Sequence, residues 1–276
     1  MKPKKILIIL LLFILLIILS LIVVNYFNKE SNVINEEGFD QSIFYLGKWN
    51  GKYLIKDDKE VINFIAVTSI EQANYLKDHE EYLHVDTGDF FTSEITVHLG
   101  DDIHYSDRKF KLINLETKFN KDDLLALKQL NEIVLRENNQ VLARKNIGQI
   151  SFVSNDIGEE DYPFDFEGFN VTYSGIDKVK VEFINATNKV MRIKGITLEN
   201  PDLNYTVEKD FPAEVRPNEK VEQYIFLQPT DESKYDFWII TPKVLFEDGT
   251  VAYLPSSSHN NYGVNEQTIK KIIDRD

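Results

Sequence analysis

Lys178-Val179-Lys180-Val181-Glu182-Phe183 sets charged and apolar residues in alternation. Side chains along a β-strand point to opposite faces at period two, so Val179, Val181 and Phe183 belong to a core and Lys178, Lys180 and Glu182 to water. The same reading extends downstream. Asn185 to Asn188 makes a polar turn, and Met191, Ile193, Ile196 and Leu198 return as a second strand. Asn200-Pro201-Asp202 turns again before Tyr205 to Val207, and a loop from Phe211-Pro212 to Pro217-Asn218 enters Val221 to Leu227. Phe237 to Thr241 and Val244 to Phe246 follow, and Asp248-Gly249 closes a tight hairpin onto Val251 to Leu254. Strands spaced roughly eight to twelve residues apart, with Pro, Gly and Asn between them, predict an antiparallel sandwich over 171–262. A short helix with Ile269, Ile272 and Ile273 along one side is expected over 263–276.

Upstream, the strand signal begins at Ser42. Ile43 to Leu46 and Lys52 to Ile55 flank Asn50-Gly51, a dipeptide that tolerates positive φ and predicts a hairpin turn. Val61 to Thr68, Tyr82 to Asp86, Ser93 to Leu99, Ile103 to Tyr105 and Phe110 to Phe119 add strands. Glu71 to His79 reads as a short helix with Ser69 as its N-cap. Asn120 to Leu130 reads as another, with Asp122 and Asp123 in its first turn and Leu124, Leu127 and Leu130 on one face. Glu132 to Arg136 and Gln140 to Lys145 form a hairpin across Asn138-Asn139, and Ile147 to Ser154 follows. These residues, 42–154, are the expected first β-rich domain, and the acidic, turn-rich window 155–170 is the expected linker. The fold class is therefore mainly β, with two antiparallel sandwich-like domains. The strand and turn layout of the second half resembles the immunoglobulin-like β-sandwich modules of many anchored surface proteins. The resemblance is to an architecture, since no Cys…Trp…Cys framework is present.

The other decisive stretch lies at the start. Ile6 to Val24 holds only Ile, Leu, Val and Phe apart from Ser20, and a helix of that length spans roughly 28 Å, close to the hydrocarbon thickness of a bilayer. Lys2, Lys4 and Lys5 precede it, so residues 1–5 are expected in the cytoplasm and the body outside. A secretory signal has a shorter apolar region and a small-residue cleavage site; none follows here, which favours an uncleaved signal-anchor held in membrane lipid through 6–24. Residues 25–41, polar and acidic, read as a tether. The expected location is the cell membrane, crossed once.

The formal charge is −14, and setting aside Lys2, Lys4 and Lys5 leaves the remainder at −17. Such a body repels polyanions, which excludes nucleic acid as a partner. With no cysteine, disulfides, thiolate metal sites, a Cys nucleophile and a lipid-modified Cys are excluded. Apolar residues at 43% and aromatics at 12% suffice for real cores.

The chemistry-bearing residues are few. His79, His84, His98 and His104 fall within a window of 26 residues. His84 and Asp86 share a strand face, and if the strand of His98 pairs with theirs, His84, Asp86 and His98 would offer two imidazoles and a carboxylate to zinc or copper. The alternative is a solvated polar face. Asp101-Asp102 with Asp107, and Asp156 to Asp161, are acidic clusters without EF-hand spacing, readable as calcium loops or as solvated turns. Ser256-Ser257-Ser258-His259 reads as a loop. Asn170, Asn185 and Asn204 open N-x-Thr triplets, which matter only in a eukaryotic secretory route. No Gly-rich phosphate loop, dinucleotide fingerprint or nucleophile elbow is present. Trp49, beside Asn50-Gly51, and Tyr162, Phe164 and Phe166, in the acidic linker, form a candidate partner-binding aromatic set. The leading expectation is a binding or scaffold component of the cell envelope, engaging an envelope protein or the wall. A zinc- or calcium-dependent sensing module and an anchored hydrolase are the alternatives.

Overall fold

The computed structural model describes residues 39–87, 92–155, 163–165, 178–208, 211, 213–231, 233–258 and 266–275. The apolar run 6–24, expected to cross a membrane, and the acidic run Asp156 to Asp161 lie outside the described residues. Among the described residues no helix is long and apolar enough to cross a membrane. The fold is mainly β, with several sheets.

Ten strands form one large sheet: β1 (Tyr45–Leu46), β2 (Trp49–Leu54), β3 (Lys59–Ser69), β4 (Leu83–Asp86), β5 (Thr92–Tyr105), β6 (Arg108–Asn120), β7 (Gln129–Glu137), β8 (Gln140–Val153), β15 (Phe237–Ile240) and β18 (Ser257–Ser258). Their spatial order is β1-β3-β6-β5-β4-β7-β8-β2-β15-β18. Leu46 and Trp49 are three residues apart, a reach of at most about 11 Å, yet β1 and β2 stand at distant places in that order. The sheet must therefore curl until its first strand meets β2. A side-chain hydrogen bond between β2 and β3 marks the seam: Tyr53 OH donates to Glu60 Oε2 at 3.0 Å. Phe64, Leu115, Val97, Val85, Leu135 and Ile150 are fully or almost fully buried, one from each of six strands, and fill the curl. Helix α1 (Ile70–Asp78) packs on β3, β5 and β6 with Ala73 and Leu76 buried. Ser69 caps it as expected, its hydroxyl accepting from Gln72 N–H at 3.2 Å.

The first half is thus one curled sheet and not a second sandwich. The reason is non-local: β2 pairs parallel with both β8 and β15, so a strand from late in the chain completes the sheet. The expected Asn50-Gly51 hairpin is also corrected. Trp49–Leu54 runs straight through the dipeptide as one strand, because a Cβ at Gly51 would stand 2.1 Å from Ile239 O and only glycine lets β15 approach this closely. The helix expected over 120–130 is α2 (Lys121–Leu127); it ends early because Lys128 turns at φ 60° and Leu130 already pairs with Ile150 in the sheet. The hairpins across Asn138 (φ 51°) and Gly249 (φ 87°) form as read.

The remaining strands make two four-stranded sheets. One holds β9 (Phe164–Asp165), β10 (Lys178–Asn185), β12 (Leu203–Val207) and β14 (Lys220–Pro229), in the order β12-β14-β10-β9. The other holds β11 (Met191–Leu198), β13 (Ala213–Val215), β16 (Pro242–Phe246) and β17 (Val251–Tyr253), in the order β13-β11-β16-β17. Their inward residues, among them Val179, Val181, Phe183, Ile193, Ile225 and Val244, share one core. With β9, β10, β14 and β12 standing as strands A, B, E and D, and β11, β16 and β17 as C, F and G, this is the pairing of an immunoglobulin-type sandwich, with β13 added beside strand C.

Gln41–Asp276 form a single compact unit because two chain segments cross between the assemblies. β15 lies in the large sheet and β16, after Thr241 alone, in the sandwich; β17 and β18 make the reverse passage. Pro242, which lacks an N–H, stands where the ladder is exchanged. Thr241 Oγ1 donates to Lys52 O and Ser256 Oγ accepts from Leu54 N–H at 2.6 Å, so side-chain hydroxyls hold the crossing. Ser256 is thereby a structural residue of the crossing. Helix α3 (Glu266–Arg275) buries Ile269 and Ile272 and packs against β1 and β3.

Candidate binding site

The expected metal ligands lie on the outer face of the curled sheet. Leu83 and Val85 are buried while His84 and Asp86 are half-exposed, so the latter two share a face, as the alternation requires. β4 does pair with β5, but the register sets His84 opposite Glu94. His98 lies four residues further along β5, on the order of 13 Å away, opposite Asn114. Each group has its own partner. His84 Nε2 is 2.5 Å from Asn138 O, Asp86 is ion-paired with Arg136, and His98 Nε2 is 3.1 Å from Glu116 Oε2. The structure does not bring the three together. Among the described residues no group of three or more His, Cys, Asp or Glu is placed to hold an ion. Of the acidic cluster at the β5–β6 hairpin, Asp102 is paired with Lys111 at 2.6 Å, whose ammonium holds its carboxyl below the usual range.

His79 sits elsewhere, at the C-terminus of α1. Its Nδ1 is 2.7 Å from Glu137 Oε1, and Tyr75 OH donates to the other oxygen of the same carboxylate. The two rings are 4.1 Å apart. This cluster ties α1 to the β7–β8 hairpin.

The two described aromatic candidates are core. Trp49 is 2% exposed and packs on Phe237 at 4.7 Å, so the expectation of an exposed ring fails together with the turn it rested on. Phe164 is buried against Phe183 at 4.4 Å and Phe246 at 5.8 Å. Tyr162 and Phe166 lie outside the described residues.

The concave surface that the sequence did not reveal is at one end of the sandwich. An open groove of about 790 Å³ lies between the β10–β11 turn and the β16–β17 turn, with Pro163 beside it. Asn185 builds the first wall. It is fully buried; its Nδ2 donates to Lys189 O at 2.8 Å and Val215 O at 2.9 Å, and its Oδ1 accepts from Thr187 N–H at 2.9 Å and Thr187 Oγ1 at 2.7 Å. The N-x-Thr triplet here is thus a turn device. Asp248 builds the second wall, accepting from Thr250 N–H and Oγ1 at 2.9 and 2.7 Å; those bonds hold its carboxyl below the usual range.

Between these rigid turns lie Val190, Met191 and Phe246, rimmed by Lys189, Arg192, Glu247 and Asp248. Val190 is 51% exposed. Arg192 is shared between Glu214 at 3.2 Å and Glu247 at 4.0 Å. Such a surface offers apolar contact at its floor and both signs of charge at its rim. The sequence held one clue: Val190, just before β11, is a large apolar residue at an outward position, since Met191 and Ile193 face inward.

No protein-family model and no curated protein matches the chain. Among solved structures it is similar to a protein of unknown function from Porphyromonas gingivalis W83, at 13% identity over 78% of this chain and 98% of that one, with a TM-score of 0.25. It is also similar to the D00-D0 domain of intimin, at 8% identity over 79% of this chain and 100% of that one, again with a TM-score of 0.25. The secreted serine protease VesC from Vibrio cholerae follows at 9% identity and a TM-score of 0.18, covering 74% of this chain and 49% of that one. Likenesses at these TM-scores carry no argument about function.

Proposed function

We propose that this protein is a membrane-anchored, extracytoplasmic binding component of the cell envelope, held by residues 6–24 and engaging a protein partner through the groove between the β10–β11 and β16–β17 turns. The observation that supports the reading is Val190, a large apolar side chain left half in water on the floor of an open, charge-rimmed groove whose walls are rigid turns. The ends of immunoglobulin-type sandwiches are where loops gather into recognition surfaces, which fits a binding role. The apolar run and the lysines before it support the anchored, outward-facing placement.

The test is crosslinking and co-purification of the intact protein from its own membranes, with wild type beside Val190→Asp. Specific recovery of an envelope protein with the wild type, reduced at least about tenfold by the substitution, is the expected result. Recovery that Val190→Asp leaves unchanged would remove the groove from the account. Protease added to whole spheroplasts should digest the body; its survival would overturn the proposed location.

A further inference from the structure

A β-sheet that ends in an unprotected strand has an unfinished ladder, and this sandwich has one. Among the described residues β12 is the terminal strand of its sheet and pairs only with β14. Glu208 N–H donates to Tyr224 O at 2.9 Å and Thr230 N–H to Asp202 O at 2.9 Å, so the even-numbered residues face β14. By the antiparallel alternation, the N–H and C=O of Tyr205 and Val207 and the C=O of Leu203 point away from the sheet. Leu203 N–H is taken by Asn200 O at 3.2 Å.

Other described edges are blunted. β1, β9 and β18 have two residues each, and β13 and β17 three. β17 is masked as well: Asn155 reaches Tyr253 with both ends of its amide, accepting from Tyr253 N–H at 2.7 Å and donating to Tyr253 O at 3.1 Å, as a neighbouring strand would. β12 has five residues, no charge, no proline and no register shift, which are the usual protections of an edge.

We propose that β12 takes up an extended peptide segment of a partner protein as a fifth strand of this sheet, by β-strand addition. The chemistry of the segment follows from the surroundings. Outward-facing backbone of Leu203, Tyr205 and Val207 calls for about five extended residues. On the solvent face, Thr206 stands beside Phe226, which is 42% exposed, so a β-branched or aromatic side chain opposite Thr206 completes an apolar row. Exposed Glu208 at the end of the strand, on a body of strongly negative charge, selects a Lys or Arg flank. A second copy of β12 fits worse, since antiparallel self-pairing sets Asp202 of each against Glu208 of the other.

The experiment uses the full-length protein in detergent micelles and a fluorescent peptide, Lys-Thr-Val-Thr-Val-Thr-Lys. Binding should slow amide exchange at Tyr205 and Val207 by about a hundredfold while leaving the β10 amides unchanged. N-methylation of alternate peptide amides, which removes ladder donors without touching the protein, should weaken binding at least about tenfold, and glutamate in place of both lysines should also weaken it. Val190→Asp should leave peptide binding intact, which separates this edge from the groove. Equal binding of the N-methylated peptide, or slow exchange at Tyr205 and Val207 without peptide, would overturn the proposal. Protection that grows with protein concentration alone would overturn it in favour of self-pairing.

Discussion

Gly51 and Gly195 both lie inside strands, and their surroundings separate them. A methyl group at Gly51 would meet Ile239 O at 2.1 Å, whereas one at Gly195 meets nothing within 4 Å. Gly51→Ala should therefore destabilise the protein by about 3 kcal/mol, through displacement of β15, and Gly195→Ala by less than about 0.5 kcal/mol. Chemical denaturation of the two variants checks the contrast. Asn185→Ala takes the hydrogen bond from the buried Val215 carbonyl, together with those to Lys189 O and from Thr187, and should cost about 2–3 kcal/mol in the same assay. Glu199 gives a pH dependence. Burial pushes its carboxyl up, but hydrogen bonds from Lys243, Lys52 and Tyr253 outweigh that and hold it down to about 2. Its folded value lies below its unfolded one, so its contribution is present above pH about 4.5 and is lost as pH falls from there toward 2. Glu199→Gln should flatten the acid limb of the stability curve across that window; an unchanged limb would show that the group contributes nothing.

At the scale of elements, α3 illustrates how a short helix is fixed. Asp236 is a fully buried carboxylate. It accepts from Lys48 N–H at 2.8 Å and is ion-paired with Arg275, with Lys271 Nζ 3.7 Å away. Arg275→Met leaves the buried carboxylate with only the more distant Lys271 ammonium and should cost about 3 kcal/mol, while adding Asp236→Asn should recover much of the loss, as a double-mutant cycle in thermal unfolding would show. The elements also show what could be read in advance. Ser69, Asn138 and Asp248-Gly249 act on backbone within a few residues, so their cap and turns were legible. Val179, Val181 and Phe183 declared the sandwich core by parity alone. Asn50-Gly51 carries the same local signal as Asp248-Gly249 and means the opposite, because its partner Ile239 is 188 residues away. The histidines misled for a related reason: parity put His84 and Asp86 on one face, but register against β5 is a property of two strands and a turn. The groove was invisible, since its walls come from turns that meet only when β11 and β16 pair.

At the scale of the whole molecule, the expected linker 155–170 separates two regions of sequence but not two independent sets of strands. β15 and β18 follow the linker in the chain and stand in the large sheet. Residues 42–154 expressed alone should therefore fail to give a folded curled sheet, showing poor chemical-shift dispersion in NMR spectra, whereas a single cut within 155–162 of the full chain should leave both pieces associated on gel filtration. A well-folded 42–154 fragment would contradict the shared-strand architecture.

The crossing at Thr241-Pro242 has a further consequence for descent. Genes for beads on a string diverge by shuffling whole beads, but here an exchange made at the linker would carry off two strands of the neighbouring curled sheet along with the sandwich. Relatives of this chain should accordingly inherit both parts together, and a homologue holding only one of them would have to have found another way to finish its sheet.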